Sequence, residues 1–441
     1  MPAKTDPGRP DDRGSSQRPM KRRPAEREYC VEHAALSDVG LCRSNNQDSL
    51  IVSPADSVQS GQAPGHLLVV ADGMGAHAAG EVASQMAVEV VRRVYRSLVT
   101  GKPADALRQA ITTANSEIFA RGDQSDELRG MGTTVSALLL LPEEAIVAHV
   151  GDSRVYRLRG NDLEQLTFDH SLVWEICDAE NVMESEVPAF VPRNIITRSV
   201  GPTSDVNVDL EGPFSLRTGD VFLLCSDGLS GQVEDEEMGT ILGCLDPEEA
   251  AKTLIALANL RGSPDNITLI VARVNRWQPA GAGGVSDPQA SASLERKVFW
   301  PMVAAAGLFA LGWLMSGPLL AIPAAIVGAL LAGSTAFFRN RRRAPLATAS
   351  QERQRLGKAP YTACDCTLNE QSARCLRKAV REIRDVAINR LWQVDWDQFE
   401  ELTGKAGLEA SKGDYLASVR LYAETIRFML GQLRRTLEPR E

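Results

Sequence analysis

The chain has 441 residues, 44% of them hydrophobic, with a formal net charge of −9 and a pI near 5.3. That length accommodates two or three units at roughly 100–200 residues per domain, and the acidic balance argues against a nucleic-acid partner, whose binders carry a basic footprint. Eight cysteines, at 30, 42, 177, 225, 244, 364, 366 and 375, lie scattered through a chain that opens without a signal peptide, a usage that predicts free thiols in a reducing compartment. Cys364, Cys366 and Cys375 lack the C-x-x-C pair and the fourth ligand of a tetrahedral zinc site, so ordinary thiols are expected there.

Residues 1–27 are rich in Pro, Gly, Ser and charge and hold almost nothing to bury, which predicts a disordered tail. From 28 to 276 short aliphatic runs alternate with amphipathic segments. Strands are predicted at 67–71, 133–141, 145–150, 154–158, 220–225 and 267–274, and helices at 81–98, 103–121, 170–179 and 246–260. Short turns such as Gly151-Asp152-Ser153 join successive strands, which favours antiparallel pairing over a βαβ order. Residues 277–296 carry a Gly/Ala/Ser/Pro linker. The run 298–338 has no charge and is long enough for two crossings of about 20 residues each. Ser316-Gly317-Pro318 offers a turn, and Arg296-Lys297 and Arg339 to Arg343 put cationic charge at both ends. A transmembrane hairpin within 297–339 is predicted, with both flanks on the cytoplasmic side of the inner membrane, a single tilted span being the other reading. Residues 340–441 begin with a basic juxtamembrane stretch and continue as a helical domain, with helices predicted near 369–391, 395–409 and 413–436. Within it GDYLASVRLYAETI (413–426) faintly resembles one helical-hairpin repeat of the tetratricopeptide kind.

Chemistry concentrates at acidic strand ends. The apolar run His66 to Ala71 stops on Asp72-Gly73, and Val221 to Cys225 leads into Ser226-Asp227-Gly228. Asp48 precedes Leu50-Ile51-Val52, five residues after Arg43, and Asp265-Asn266 precedes the last strand of the region. Any single Asp-Gly is more often a turn than a ligand. The four together are another matter, because carboxylates gathered at strand ends repel unless neutralised. Mg²⁺ and Mn²⁺ are hard cations that take such oxygens, and a guanidinium such as that of Arg43 suits two phosphate oxygens at once. A dinucleotide-binding loop is excluded by spacing, since Gly73, Gly75 and Gly80 read G-x-G-x-x-x-x-G rather than G-x-G-x-x-G.

Taken in order, R-x-x-N-Q-D (43–48), DGMGAHAAGEVAS (72–84), MGTT (131–134), VGDSRVYRLR (150–159), LTFDHSLV (166–173), NIITRSVG (194–201), SDGL (226–229) and DN (265–266) resemble the bacterial form of the PPM (type 2C) family of metal-dependent serine/threonine protein phosphatases over roughly residues 30–275. The resemblance implies an α+β fold: a central β-sandwich of two antiparallel sheets flanked by helices, four layers αββα. It implies two Mn²⁺ or Mg²⁺ ions held by Asp48, Asp72, the Gly73 carbonyl, Asp227 and Asp265, with Arg43 as the phosphate clamp. A metal-bridging hydroxide would attack phosphoserine or phosphothreonine in one step. Asp126 and Glu127 are candidates for a third metal, and Asp152 is read as a structural hydrogen-bonding residue. Where animal relatives carry a His after Asp-Gly this chain has Met74, which leaves His77 as the candidate proton donor. The expectation is a membrane-tethered phosphatase facing the cytoplasm, acting on phosphorylated proteins against a bacterial Ser/Thr kinase, its C-terminal helices free to bind another protein. A phosphoprotein-sensing pseudo-phosphatase or scaffold is the alternative.

Overall fold

The structure, a computed structural model, describes residues 29–55, 63–75, 78–98, 101–182, 184–188, 190–276 and 355–437. The central strands are buried on both faces, and their side chains alternate between two cores. In β3 (His66–Met74) Leu67, Val69 and Ala71 enter one apolar cluster while Leu68 and Val70 enter another, as a pleated backbone with alternating side chains requires. The same division runs through β10 (Val221–Cys225) and β11 (Ile267–Arg276). Phe222, Leu224, Ile270, Ala272 and Val274 join Leu68 and Val70, whereas Val221, Leu223, Leu269 and Val271 face the opposite way. Two sheets therefore share one core between them, and each has a further core on its outer face.

Every strand pairing among the described residues is antiparallel. One sheet runs β1 (Tyr29–Asp38), β11, β10, β7 (Arg154–Arg159), β8 (Asp162–Gln165) and β12 (Thr362–Asp365). The other runs β2 (Asp48–Ser53), β3, β5 (Val135–Leu140), β6 (Glu144–Val150) and β9 (Asp209–Ser215), with the short β4 (Gly132–Thr133) beside β3. Helices α1 (Ala79–Ser97) and α2 (Pro103–Asp123) cover the second sheet, and α5 (Asp235–Cys244) and α6 (Pro247–Leu260) cover the first. Helix α6 starts where its capping chemistry dictates: Asp246 accepts from the Glu249 amide at 2.9 Å and Pro247 occupies the first turn. The shorter α3 (Leu172–Glu180) and α4 (Asp227–Ser230) sit at strand ends.

The chain divides into two units, and the described residues other than Arg355 fall in the first. In the first, the C-terminal helices α7 (Glu370–Asn389), α8 (Trp396–Ser411) and α9 (Tyr415–Leu437) share a core with α5 and α6: Leu376, Val380, Ile383, Ile426 and Met429 belong to the same apolar cluster as Ile241 and Leu254. Strand β12 extends the first sheet at β8, pairing Thr362 with Gln165 and Asp365 with Asp162. Arg427 donates to Thr253 Oγ1 at 2.7 Å and Arg420 to the Cys244 carbonyl at 3.1 Å. Cys366 serves this packing: its Sγ lies 2.2 Å from where a side chain at Gly239 would begin.

The predicted tail (1–27), the linker (277–296) and the apolar run 298–338 lie outside the described residues. No helix among the described residues is long and apolar enough to cross a membrane. The long helices are amphipathic and spend their apolar stripes on protein; α7 buries Leu376, Val380 and Ile383 while Arg374, Lys378 and Arg381 stay exposed. The expected membrane hairpin, the lipid bilayer as a partner and the inner-membrane placement are therefore corrected: no described element supports them.

Candidate active site

The strands that build the sandwich also deliver its acidic end. Antiparallel β2 and β3 pair Asp48 directly with Asp72, so the two carboxylates project from one face at about 4.5–5.5 Å between Cβ atoms. Asp48 continues the inward series Leu50, Val52, and Asp72 continues Leu68, Val70. Both therefore point between the sheets, at the end where apolar filling stops. From the facing sheet, Ser226 follows Phe222 and Leu224 on the inward side, and its hydroxyl donates to Asp48 Oδ2 at 2.8 Å. Asp227 is the first residue of α4, two residues after the end of β10.

Backbone and hydroxyl contacts hold Asp72 rigidly. Its amide donates to Thr134 Oγ1 at 2.9 Å, and its carbonyl accepts from the Thr134 amide and the Thr133 hydroxyl, each at 2.8 Å. Gly73 follows in a space that admits nothing larger: an added Cβ would sit 2.1 Å from the Gly80 carbonyl and 2.5 Å from that of Gln47. Asp265 stands before β11, held at 2.7 Å by Arg43, which also donates to the Pro264 carbonyl at 3.1 Å. Asn266 ties the two loops together, donating to the carbonyls of Val39 and Asn45 and accepting from the Gln47 amide at 2.9 Å.

Burial of these acids is electrostatically costly. Burial, followed by the charges of Asp48, Asp227, Asp152 and Asp265, pushes the Asp72 carboxyl well above the ordinary range. Burial lifts Asp48 to about 6 against the hydrogen bonds of Thr268 and Ser226, and burial with the Asp265 charge raises Asp227. Asp152 rises to about 8, through burial first and the Asp227 charge second. One buried oxygen each on Asp152 and Asp227 has no hydrogen-bond partner. Buried carboxylates with orphaned oxygens are a donor set well suited to hard cations. Among the described residues no three His, Cys, Asp or Glu side chains are gathered closely enough to hold one ion as they stand. Mg²⁺ keeps several waters and binds through one or two carboxylates, so this open arrangement suits hard divalent cations.

The structure thus brings together Asp48, Asp72, Gly73, Asp227 and Asp265, with Arg43 half-exposed at the rim. Asp126 is exposed and paired with Arg129 at 2.7 Å, Glu127 is exposed, and neither is among the charges that raise Asp72. His77 lies outside the described residues. Asp152, read from sequence as a structural hydrogen-bonding residue, lies in the same buried neighbourhood, where its charge acts on Asp72 and that of Asp227 acts on it. Its turn is anchored by His170, whose Nδ1 accepts from the Gly151 amide at 2.9 Å while Nε2 faces Asp209 at 2.9 Å, which makes Nε2 the protonated nitrogen. Only these long-range contacts reveal it, because Gly-Asp-Ser by itself reads as a turn.

The comparisons with known proteins agree with this geometry. A family model described as Protein phosphatase 2C matches residues 44–257. Protein phosphatase PhpP of Streptococcus pneumoniae serotype 2 is 35% identical over 249 residues, 56% of this chain and 98% of that protein. Serine/threonine protein phosphatase PstP of Mycobacterium tuberculosis is 37% identical over 262 residues, 58% of this chain and 48% of that protein, so the chain spans about half the length of that relative. The crystal structure of the Mycobacterium tuberculosis phosphatase PstP/Ppp is similar at 36% identity and a TM-score of 0.51, covering 56% of this chain and 99% of that one. The Streptococcus agalactiae serine/threonine phosphatase matches at 36% identity and a TM-score of 0.51, covering 56% of this chain and all of that one. With a phosphatase relative covered almost end to end, and its acidic sandwich end intact, this chain belongs to the protein phosphatase 2C family of serine/threonine phosphatases.

Proposed function

We propose that this protein hydrolyses phosphoserine and phosphothreonine esters in proteins with the help of bound divalent cations, reversing the work of a Ser/Thr kinase. The observation that carries the reading is the cluster of buried carboxylates, with one orphaned oxygen each on Asp152 and Asp227, beside a half-exposed arginine. Asp48, Asp72, the Gly73 carbonyl, Asp227 and Asp265 would hold two ions between them, with waters completing the shells, since no three side chains among the described residues converge on one point. Asp152, sharing the buried neighbourhood of Asp227, replaces Asp126 and Glu127 as the candidate for a third. Bound Mn²⁺ or Mg²⁺ would neutralise these acids and make water ionisable at neutral pH.

The chain's own residues do the positioning. Thr133, Thr134 and the close-packed Gly73 fix Asp72 to the strand, while Ser226 orients Asp48. Leu50, Val52, Leu68 and Val70 floor the site and keep its dielectric low, which strengthens each electrostatic contact above them. Arg43 holds Asp265 now, but half of its side chain is exposed. An arriving phosphoryl group presents two oxygens to the same guanidinium fork and competes for it.

The test uses the full chain with an aryl phosphate and a phosphothreonine peptide, each with Mn²⁺, with Mg²⁺ or with EDTA. Turnover that depends on the cation and disappears in EDTA is expected. No turnover under any metal condition would sink the reading.

A further inference from the structure

The C-terminal helices carry a second concave site that the hydrolytic reading does not use. Helices α7, α8 and α9 enclose a groove of about 400 Å³ lined by Arg377, Arg381, Arg384, Phe399, Gly404 and Tyr422, among others. The three arginines fall at i, i+4 and i+7 of α7 and so share one face. Phe399 and Tyr422 form a buried floor. Arg377 donates through Nε to Tyr422 Oη at 2.8 Å, which fixes its guanidinium at the groove wall. Arg384 meets Glu400 at 3.5 Å, and Arg381, exposed, has no ion pair among the described residues.

Charge and shape both specify an occupant. Three arginines against the single Glu400 leave the lining at a net +2. A phosphoryl ester carries about −1.5 to −2 at neutral pH, so one such group balances the groove, whereas one carboxylate leaves a guanidinium uncompensated. Planar guanidinium forks also match phosphoryl oxygens in pairs. The opposite wall is α8, which presents Gly404 and Gly407 to the groove. A side chain at Gly404 would meet nothing within 4 Å, and one at Gly407 only Arg377 Nη2 at 3.9 Å. Glycine weakens a helix interior relative to alanine; here it keeps the wall low enough for an extended peptide backbone to lie against it.

We propose that this groove is a docking site for a phosphorylated peptide segment of a protein partner, recognised by Arg377, Arg381 and Arg384. Its role in holding multiply phosphorylated substrates rests on the hydrolase reading; the binding itself does not. Arg434, at the far end of α9, pairs with Asp38, whose carboxylate also accepts from the Gly40 amide in the loop leading to Arg43. The docking layer is thereby joined directly to the loop that carries the phosphate clamp.

The test measures fluorescence anisotropy of a short degenerate peptide with a central phosphothreonine, beside its threonine and glutamate counterparts. The protein is the full chain carrying Asp72→Asn and Arg43→Ala, which silences hydrolysis and the clamp without touching the groove. The phosphopeptide should bind about tenfold or more tightly than either counterpart. Arg381→Glu and Gly404→Trp should each weaken it by about tenfold or more, with unchanged far-ultraviolet circular dichroism. Equal binding of the glutamate peptide, or phosphopeptide affinity indifferent to both substitutions, would overturn the proposal. In the otherwise unaltered chain Arg381→Glu should leave aryl phosphate hydrolysis unchanged. A chain that binds as described yet never hydrolyses the aryl phosphate refutes the hydrolase reading alone.

Discussion

At Asp227 folding and chemistry pull in opposite directions. Its carboxylate is buried near Asp265, and one oxygen lacks a partner. Asp227→Asn should therefore stabilise the protein in EDTA by about 1 kcal/mol or more in urea unfolding, since an unsatisfied buried charge is lost. The same variant should forfeit most of the stabilisation that cations confer, about 2.7 kcal/mol at a hundredfold excess over Kd, and nearly all turnover. Arg43→Ala should behave differently. A half-exposed ion pair contributes about 0–1 kcal/mol, so stability should barely move, while kcat/KM on a phosphopeptide falls by about tenfold to a hundredfold. His149 is the acid-sensitive residue of the core. Burial, and after it the neighbouring His170, lowers it to about 3 against an ordinary 6.5. Between those values the unfolded chain binds a proton that the folded one refuses, so stability is lost as pH falls below 6.5. Urea midpoints at pH 7.5 and 5.5 should show wild type losing about 1.4 kcal/mol more than His149→Gln over that interval.

Elements were legible wherever local pattern and environment agree. Strand β3, helices α1, α2 and α6, and the three C-terminal helices announce themselves by apolar period, with Asp246-Pro247 marking the start of α6. Strand β1 and helix α5 did not. YCVEHAALSD mixes charge into its alternation, and α5 opens on a Glu234–Glu237 capping box inside an acidic run that reads as solvated loop. Glu237 is in fact buried and satisfied by Arg261, 2.6 Å away in the turn after α6. Strand β12 could not be foreseen either, because its partner β8 lies about 200 residues earlier and its own pattern is only four residues long. Just before it, Glu211 accepts from the Tyr361 hydroxyl at 2.5 Å and the Ala359 amide at 3.0 Å. Tyr361→Phe removes one of those donors from a buried carboxylate and should cost about 1–3 kcal/mol, read from urea unfolding.

At the scale of the whole molecule, the C-terminal helices were expected as a domain of their own, yet one apolar cluster runs from Tyr156 and Leu254 to Met429 and Leu433. Residues 28–277 expressed alone should expose the outer faces of α5 and α6. They should melt below the full chain and self-associate in sedimentation velocity, because an uncovered apolar patch of that kind drives association. The acidic strand ends and the arginine ahead of them were determined by the sequence itself, since apolar strand runs and carboxylate repulsion are properties of short segments. Which acids share a buried neighbourhood was decided only in three dimensions. Asp152 reaches Asp227 and Asp72 because a His170–Asp209 contact anchors its turn, while Asp126 turns outward to Arg129. The attachment of the C-terminal layer was likewise a tertiary outcome. Burial depends on what lies opposite, and what lies opposite is set by contacts between residues far apart in the chain.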